Sequence, residues 1–197
     1  RKTIPGAAPK DFVAWIKAQG DKANFAHGGI GTNSHLCAVM MGNVLGFKPT
    51  VVAYRGSAPA IGDLLAGQID LLWDQVTNAL PQIQAGTLHG IAITSPKRLE
   101  QLKDVPTTAE LGMPEVSYTM WHGLYVAKGT PRAAVTALNA ALRKALADPG
   151  VAAKLKQLGT LPFPDAEMTP EAHARLFASD LPRVAKLVES SGIKASE

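Results

Sequence analysis

Apolar positions recur at helical spacing near the start of the chain. Phe12, Val13 and Ile16 share one face of a predicted helix over Pro9–Gln19, and Gly20 stops it. The pattern then alternates. A short strand is predicted at Asn24–His27, followed by a helix from about 32 to 45 that ends at Gly46. The β-branched run TVVAY at 50–54 reads as a buried strand, and a helix over 58–66 closes at Gly67. IDLLW at 69–73 is the next strand, 77–85 a helix ended by Gly86, and GIAIT at 90–94 a fourth strand. Four strand–helix units with short connections predict a parallel sheet covered on both faces.

Beyond it the pattern loosens. Residues 95–115 are polar and broken by Pro96, Pro106 and Pro114, and 116–127 form one long extended run that Gly123 could bend. The last third is helical. Thr130 is placed as an N-cap with Pro131 at the first helical position, ahead of Val135, Leu138, Leu142 and Leu146. A second helix holds Val151, Leu155 and Leu158 and stops at Gly159. A third starts at Thr169-Pro170-Glu171 and buries Leu176, Leu181, Val184 and Val188, with Pro182 expected to kink or break it. These helices have apolar faces but almost no strands of their own, so part of the sheet they cover is expected to lie outside this chain.

Composition narrows the function classes. Of 197 residues, 46% are hydrophobic and 18% charged, which describes an ordinary globular protein. The net charge of +4 is scattered, with no basic stripe of the kind that marks nucleic-acid binding. The single cysteine, Cys37, excludes an internal disulfide and a multi-cysteine metal site; within an apolar helical run it reads as a small buried hydrophobe. No apolar stretch reaches the roughly 18 residues of a membrane span. The opening Arg1-Lys2-Thr3, with no starting methionine and no signal peptide, reads as a piece cut from something longer.

The candidate chemistry lies just past the strands, where open parallel sheets bind ligands. His27-Gly28-Gly29 follows the first strand, Tyr54-Arg55-Gly56-Ser57 the second, Asp74-Gln75 the third and Thr94-Ser95 the fourth. The first two loops run directly into helices, whose N-termini bind anions through free N–H groups and a partial positive charge. Gly28, Gly29 and Gly31 let the backbone approach closely, Thr32, Ser34 and Ser57 add hydroxyls, and the same logic applies at Gly56 and Ala58. His35 supports the turn, and Arg55 offers a salt bridge to an anion or a surface contact. Asp74 either caps the following helix or faces the cleft.

Competing chemistries fit poorly. Gly29-Ile30-Gly31 gives the first glycine pair of a dinucleotide fingerprint, but Ser34 stands where the third should be and Arg55 where an acid should follow. The G-K-[ST] ending of a phosphate loop is missing. His27 and His35 lack a third metal ligand, so no metal and no cofactor is expected. A serine paired with His27 or His35 leaves a hydrolase as an alternative, and the effector-sensing domain of a transcription regulator is another.

The ordered series of motifs then carries a resemblance. It runs G-x-G-T-x-S-H-L at 29–36, V-x-Y-R-G-S-A-P-A at 52–60, D-L-L-A-G-Q-I-D-L-L-W-D at 63–74, L-P-Q-I-Q-A-G at 80–86, I-A-I-T-S-P-K-R at 91–98, D-V-P-T-T-A-E-L-G at 104–112 and W-H-G-L-Y-V-A-K-G-T-P at 121–131. This resembles the Bug family, the periplasmic solute-binding proteins of tripartite tricarboxylate transporters. The resemblance implies a type II periplasmic-binding-protein-like α/β fold of two parallel-sheet lobes that closes on a small organic anion, a carboxylate above all. It implies membrane permease subunits as partners, a periplasmic location and no enzymatic activity. It places residues 1–122 as one complete lobe and 123–197 as the helical part of the other, whose N-terminal portion is absent. The family's ligand contacts map onto Gly28, Gly29, Gly31, Thr32, Ser34 and His35, onto Tyr54, Arg55, Gly56, Ser57 and Ala58, and onto Asp74. Trp73 and Gln75 depart from the family's usual residues, so the resemblance does not name the ligand.

Overall fold

The structure, a computed structural model, describes residues 8–191; the opening Arg1-Lys2-Thr3 lies outside them. The chain divides into two compact units, Arg1–Met120 with Val188–Glu197, and Trp121–Leu187.

The first unit is built on three parallel strands, β1 (Asn24–His27), β2 (Thr50–Ala53) and β3 (Leu71–Leu72), in the order β2-β1-β3. Asn24 pairs with Thr50 and His27 with Ala53 on one side of β1, and Phe25 pairs with Leu71 on the other. The central strand is therefore buried on both faces. Phe25 enters a cluster with Phe12 and Ile16 of α1 (Pro9–Gln19) and Ala38 and Met41 of α2 (Asn33–Leu45). Ala26 enters another with Ala60 of α3 (Ser57–Leu65) and Ile69. Side chains alternate across a strand, so consecutive residues hold helices on opposite faces. Burying a side chain such as Phe25 contributes about 1.5–3 kcal/mol. A further cluster joins Leu80 of α4 (Val76–Gln84) to Leu102 and Val105. Asp70 pins the start of β1: its Oδ2 accepts from the Asn24 backbone N–H at 2.9 Å and the Asn24 amide at 3.3 Å.

Three expectations are corrected. The strand expected at 69–73 shortens to two residues. The run at 90–94 forms no strand, because its backbone is engaged elsewhere. Ile93 N–H donates to Pro106 O, Ile93 O accepts from Thr108 N–H, and Thr94 O accepts from Tyr118 N–H. Likewise 116–127 has no strand; a single 3-10 turn at Pro114–Val116 precedes irregular backbone.

The second unit contains α5 (Arg132–Ala147), α6 (Pro149–Gln157) and most of α7 (Pro170–Ser191). Here the caps differ from those expected. Pro131 itself is the N-cap of α5, because the Thr130 hydroxyl turns back to Ala127 O at 2.8 Å. Asp148, not anticipated, caps α6 by accepting from Gly150 and Val151 N–H. Thr169 Oγ1 accepts from Ala172 N–H at the start of α7. Pro182 does not break α7, which runs unbroken through it. The faces expected to be buried are only partly covered: Leu181 is 56% exposed and Leu138 43%, while Val135, Leu176 and Val184 are half-buried. Among the described residues this unit has no strand for them to cover.

Candidate functional site

In an open parallel sheet of order β2-β1-β3, the strand order reverses at β1, with β2 added on one side and β3 on the other, and a crevice forms at the carboxyl ends of the strands. Each strand runs within a few residues into a helix, so α2, α3 and α4 all begin at this edge. Their starts touch. Gly56 N–H donates to Gly28 O at 3.3 Å, and a Cβ on Gly28 would lie 3.5 Å from the Gly56 carbonyl carbon. Ser57 Oγ, at the start of α3, donates to Asp74 Oδ1 at 2.8 Å, and Asn78 of α4 donates to the same oxygen at 3.2 Å. The edge thus gathers three helix N-termini into one polar patch.

The turn after β1 is held from within. Gly28 N–H donates to Ser34 Oγ at 3.0 Å, and Thr32 Oγ1 donates to Gly29 O at 2.6 Å. Gly29 N–H donates to His27 Nδ1 at 3.1 Å, and Gly31 N–H to His35 Nδ1 at 3.2 Å. The two imidazoles stack with centroids 4.2 Å apart and planes 10° from parallel. His27 is buried, at 2% exposure. Burial, and then the neighbouring His27 ring, lower the His35 pKa from its ordinary value. Gly31 has φ of +75° and Gly56 +99°, backbone conformations that favour glycine.

These bonds change which donors face outward. The N–H groups of Gly28, Gly29, Gly31 and Thr32 are taken up inside the turn. The first-turn N–H groups of α2, on Asn33, Ser34 and His35, have no intrahelical acceptor and remain for a ligand. Asn33 is itself braced, its Oδ1 accepting from the Tyr118 hydroxyl at 2.9 Å.

The remaining sequence-predicted residues separate by role. The Tyr54 hydroxyl turns onto α3 and donates to Asp63 Oδ2 at 2.7 Å, a bond that raises its pKa. Arg55 and Ala58 are exposed at the edge. Asp74 joins α3 to α4: Oδ1 accepts from Ser57, Gln75 N–H and Asn78, while Oδ2 is buried and accepts from no group. Helix ends carry roughly half a positive charge each. Three of them supply about +1.5, of which Asp74 offsets roughly two-thirds, and Arg55 adds a full charge in reach of solvent. The arrangement suits an anion that also presents a donor. It does not suit nucleophilic catalysis, because the Ser57 hydroxyl is committed to Asp74 and that of Ser95 to Lys97 O. Among the described residues no group of three or more His, Cys, Asp or Glu is placed to hold a metal ion. Sequence reasoning missed Asp63 and Asn78; their only signal is spacing along α3 and α4 from the strand-end loops.

Comparison with known proteins decides the family. Residues 1–193 match the model of the tripartite tricarboxylate transporter family receptor. The chain belongs to that family. It is 37% identical over 192 residues to a UPF0065 protein from the TAR-I ttuE-ttuC' intergenic region of Agrobacterium vitis, covering 98% of this chain and 56% of the relative. Among solved structures it resembles the periplasmic binding protein BugD, with a TM-score of 0.91 and 37% identity over 100% of this chain and 65% of the other. It also resembles MatC from Rhodopseudomonas palustris with bound malate, with a TM-score of 0.87 and 32% identity over 95% of this chain and 64% of that one. The fold is thus that of a periplasmic binding protein, built on parallel-sheet α/β structure. The family is one of solute-binding receptors rather than enzymes. The chain spans little more than half the length of the first of these relatives.

Proposed function

We propose that this chain is the ligand-binding part of a solute receptor that captures a small organic anion, a carboxylate above all, and delivers it to the permease subunits of a tripartite tricarboxylate-type transporter from the periplasm. The observation that carries the reading is the convergence of the α2, α3 and α4 N-termini on one sheet edge. Free N–H groups there hold a carboxylate without a lysine. Malate in MatC supports the ligand class. In this reading 28–35, 54–58 and Asp74 line one side of the site, residues 1–122 form one lobe and 123–197 part of the other, with the hinge near 118–125. Arg55 attracts the anion, and Asp74 Oδ2 takes a hydroxyl or ammonium donor from it.

The test is a thermal-shift panel of mono-, di- and tricarboxylates and aromatic acids, run on the chain and on Gly31→Val. A ligand at a hundred times its Kd stabilises by about 2.7 kcal/mol, which raises the midpoint of a chain this size by roughly 5–10 °C. The substituted chain, folded but with its turn displaced, shows no shift. If no acid on the panel moves the unsubstituted chain, the carboxylate reading fails.

A further inference from the structure

The stacked histidines have a property that anion capture alone does not require. A backbone N–H is always a donor, so the Nδ1 atoms that meet Gly29 N–H and Gly31 N–H are both acceptors, and each ring carries its proton on Nε2. Adding a proton at Nδ1 sets one N–H against another and breaks the bond to the turn. The parallel stack at 4.2 Å also sets any charge on one ring directly against the other, so the two do not charge together. The two histidine bonds to the turn therefore need neutral rings, while those of Ser34 and Thr32 do not.

We propose that His35, stacked on the buried His27, is a proton-operated latch on the glycine turn: a solvent proton taken up by its ring withdraws the Nδ1 acceptor and releases the Gly31 N–H at the start of α2. His27 and His35 are thereby positioning residues, acting through the backbone between them. The released N–H and the new positive charge both favour an anion, so proton uptake and anion capture reinforce each other by reciprocity. That last step rests on the function proposed above; the latch does not. The charged groups on the elements packed around the pair are Arg55 just past β2, Asp74 just past β3, Asp63 on α3, where Tyr54 engages it, Glu115 in the 3-10 turn against α2, and Lys10, Asp11 and Lys17 on α1, which packs with β1 and α2 through Phe12 and Ile16. Asp70 sits at the far end of β1, on Asn24, and α2 carries no other titratable group than the buried Cys37.

The experiment follows the imidazole and glycine amide resonances of the 197-residue chain by NMR from pH 8 to pH 5, with no carboxylate added. The Gly31 amide is expected to shift with the same midpoint as the His35 imidazole and to lose exchange protection as that ring charges. In His35→Asn, whose Oδ1 still accepts from Gly31 N–H but cannot charge, the Gly31 response disappears. Glycine amides that stay fixed while the rings titrate would overturn the latch in the unsubstituted chain alone. So would a Gly31 response that survives in His35→Asn. Because no carboxylate is present, this outcome is independent of the thermal-shift panel.

Discussion

Gly56→Ala tests whether the start of α3 is set by backbone conformation or by contacts. Gly56 has φ of +99° and ψ of 176°, a region reached essentially by glycine alone. A Cβ there meets nothing within 4 Å, so no steric clash confuses the reading. The whole cost is backbone strain, about 1–3 kcal/mol. The same helix supplies its own control. Gly62 lies inside α3 with open space around its Cβ position, so Gly62→Ala gains the helix propensity of alanine, about 0.8–1 kcal/mol. For a chain this size each kcal/mol moves the thermal midpoint by roughly 2–4 °C. Differential scanning calorimetry should therefore show Gly56→Ala melting several degrees lower and Gly62→Ala a few degrees higher. The double substitution should fall near their sum, since the strain and propensity terms are local. A Gly56→Ala midpoint equal to the unsubstituted one would refute the argument, because it would mean the turn relaxes freely and does not fix where α3 begins.

Other predictions follow from particular groups. Glu110 accepts from Arg98 and from Thr107 N–H, which hold its pKa to about 2. Its folded value lies below its unfolded one, so its stabilisation is present above the ordinary carboxylate pKa near 4.5 and is lost as pH falls toward about 2. Thr107 amide protection, taken relative to its intrinsic exchange rate, should fall as pH drops through that window, and Glu110→Ala should be unprotected at every pH; equal protection profiles would remove the clamp. Burial pushes the Cys37 thiol up to about 12, so a disulfide reagent at pH 8 should label it only after denaturation, and rapid labelling of the native chain would contradict its placement. Asp74→Ala should change which ligand on the carboxylate panel binds best, favouring acids without a hydroxyl or amino group; an unchanged ranking would make Asp74 a helix bridge only. Arg55→Ala should weaken anionic ligands more than neutral ones, and an equal loss for both would deny it a charge role.

Most elements up to residue 86 were readable from a local period or a glycine stop, as with Phe12 and Ile16 for α1 or Gly46 after α2. TVVA gives β2, but as a half-exposed edge strand rather than the buried one expected, because burial depends on a neighbour the run does not specify. The reading failed at 90–94 because a β-branched run specifies strand geometry but not a partner, and residues 106–108 and 118 took its hydrogen bonds. It failed at Thr130 and Asp148 because a side-chain rotamer decides which residue caps. Pro182 does not break α7 because a long helix withstands one missing donor. At the site, topology alone brought the strand-end loops together, so the residues at 28–35, 54–58 and 74 could be nominated from sequence. Which atoms face outward could not. Ser34, His27 and His35 claim the turn's N–H groups through side-chain directions that spacing does not encode, and Tyr54 finds Asp63 rather than the edge.

Three helix beginnings held in contact repel one another when nothing negative lies between them, and Asp74 offsets only part of that. The edge is therefore a region of net positive potential. Any small anion in the medium relieves it, so the chain's melting point should depend on the choice of buffer salt more than its modest net charge suggests. Phosphate and chloride solutions of equal ionic strength are then not interchangeable backgrounds for this protein, and a weak ligand measured in the wrong one is competing with its solvent.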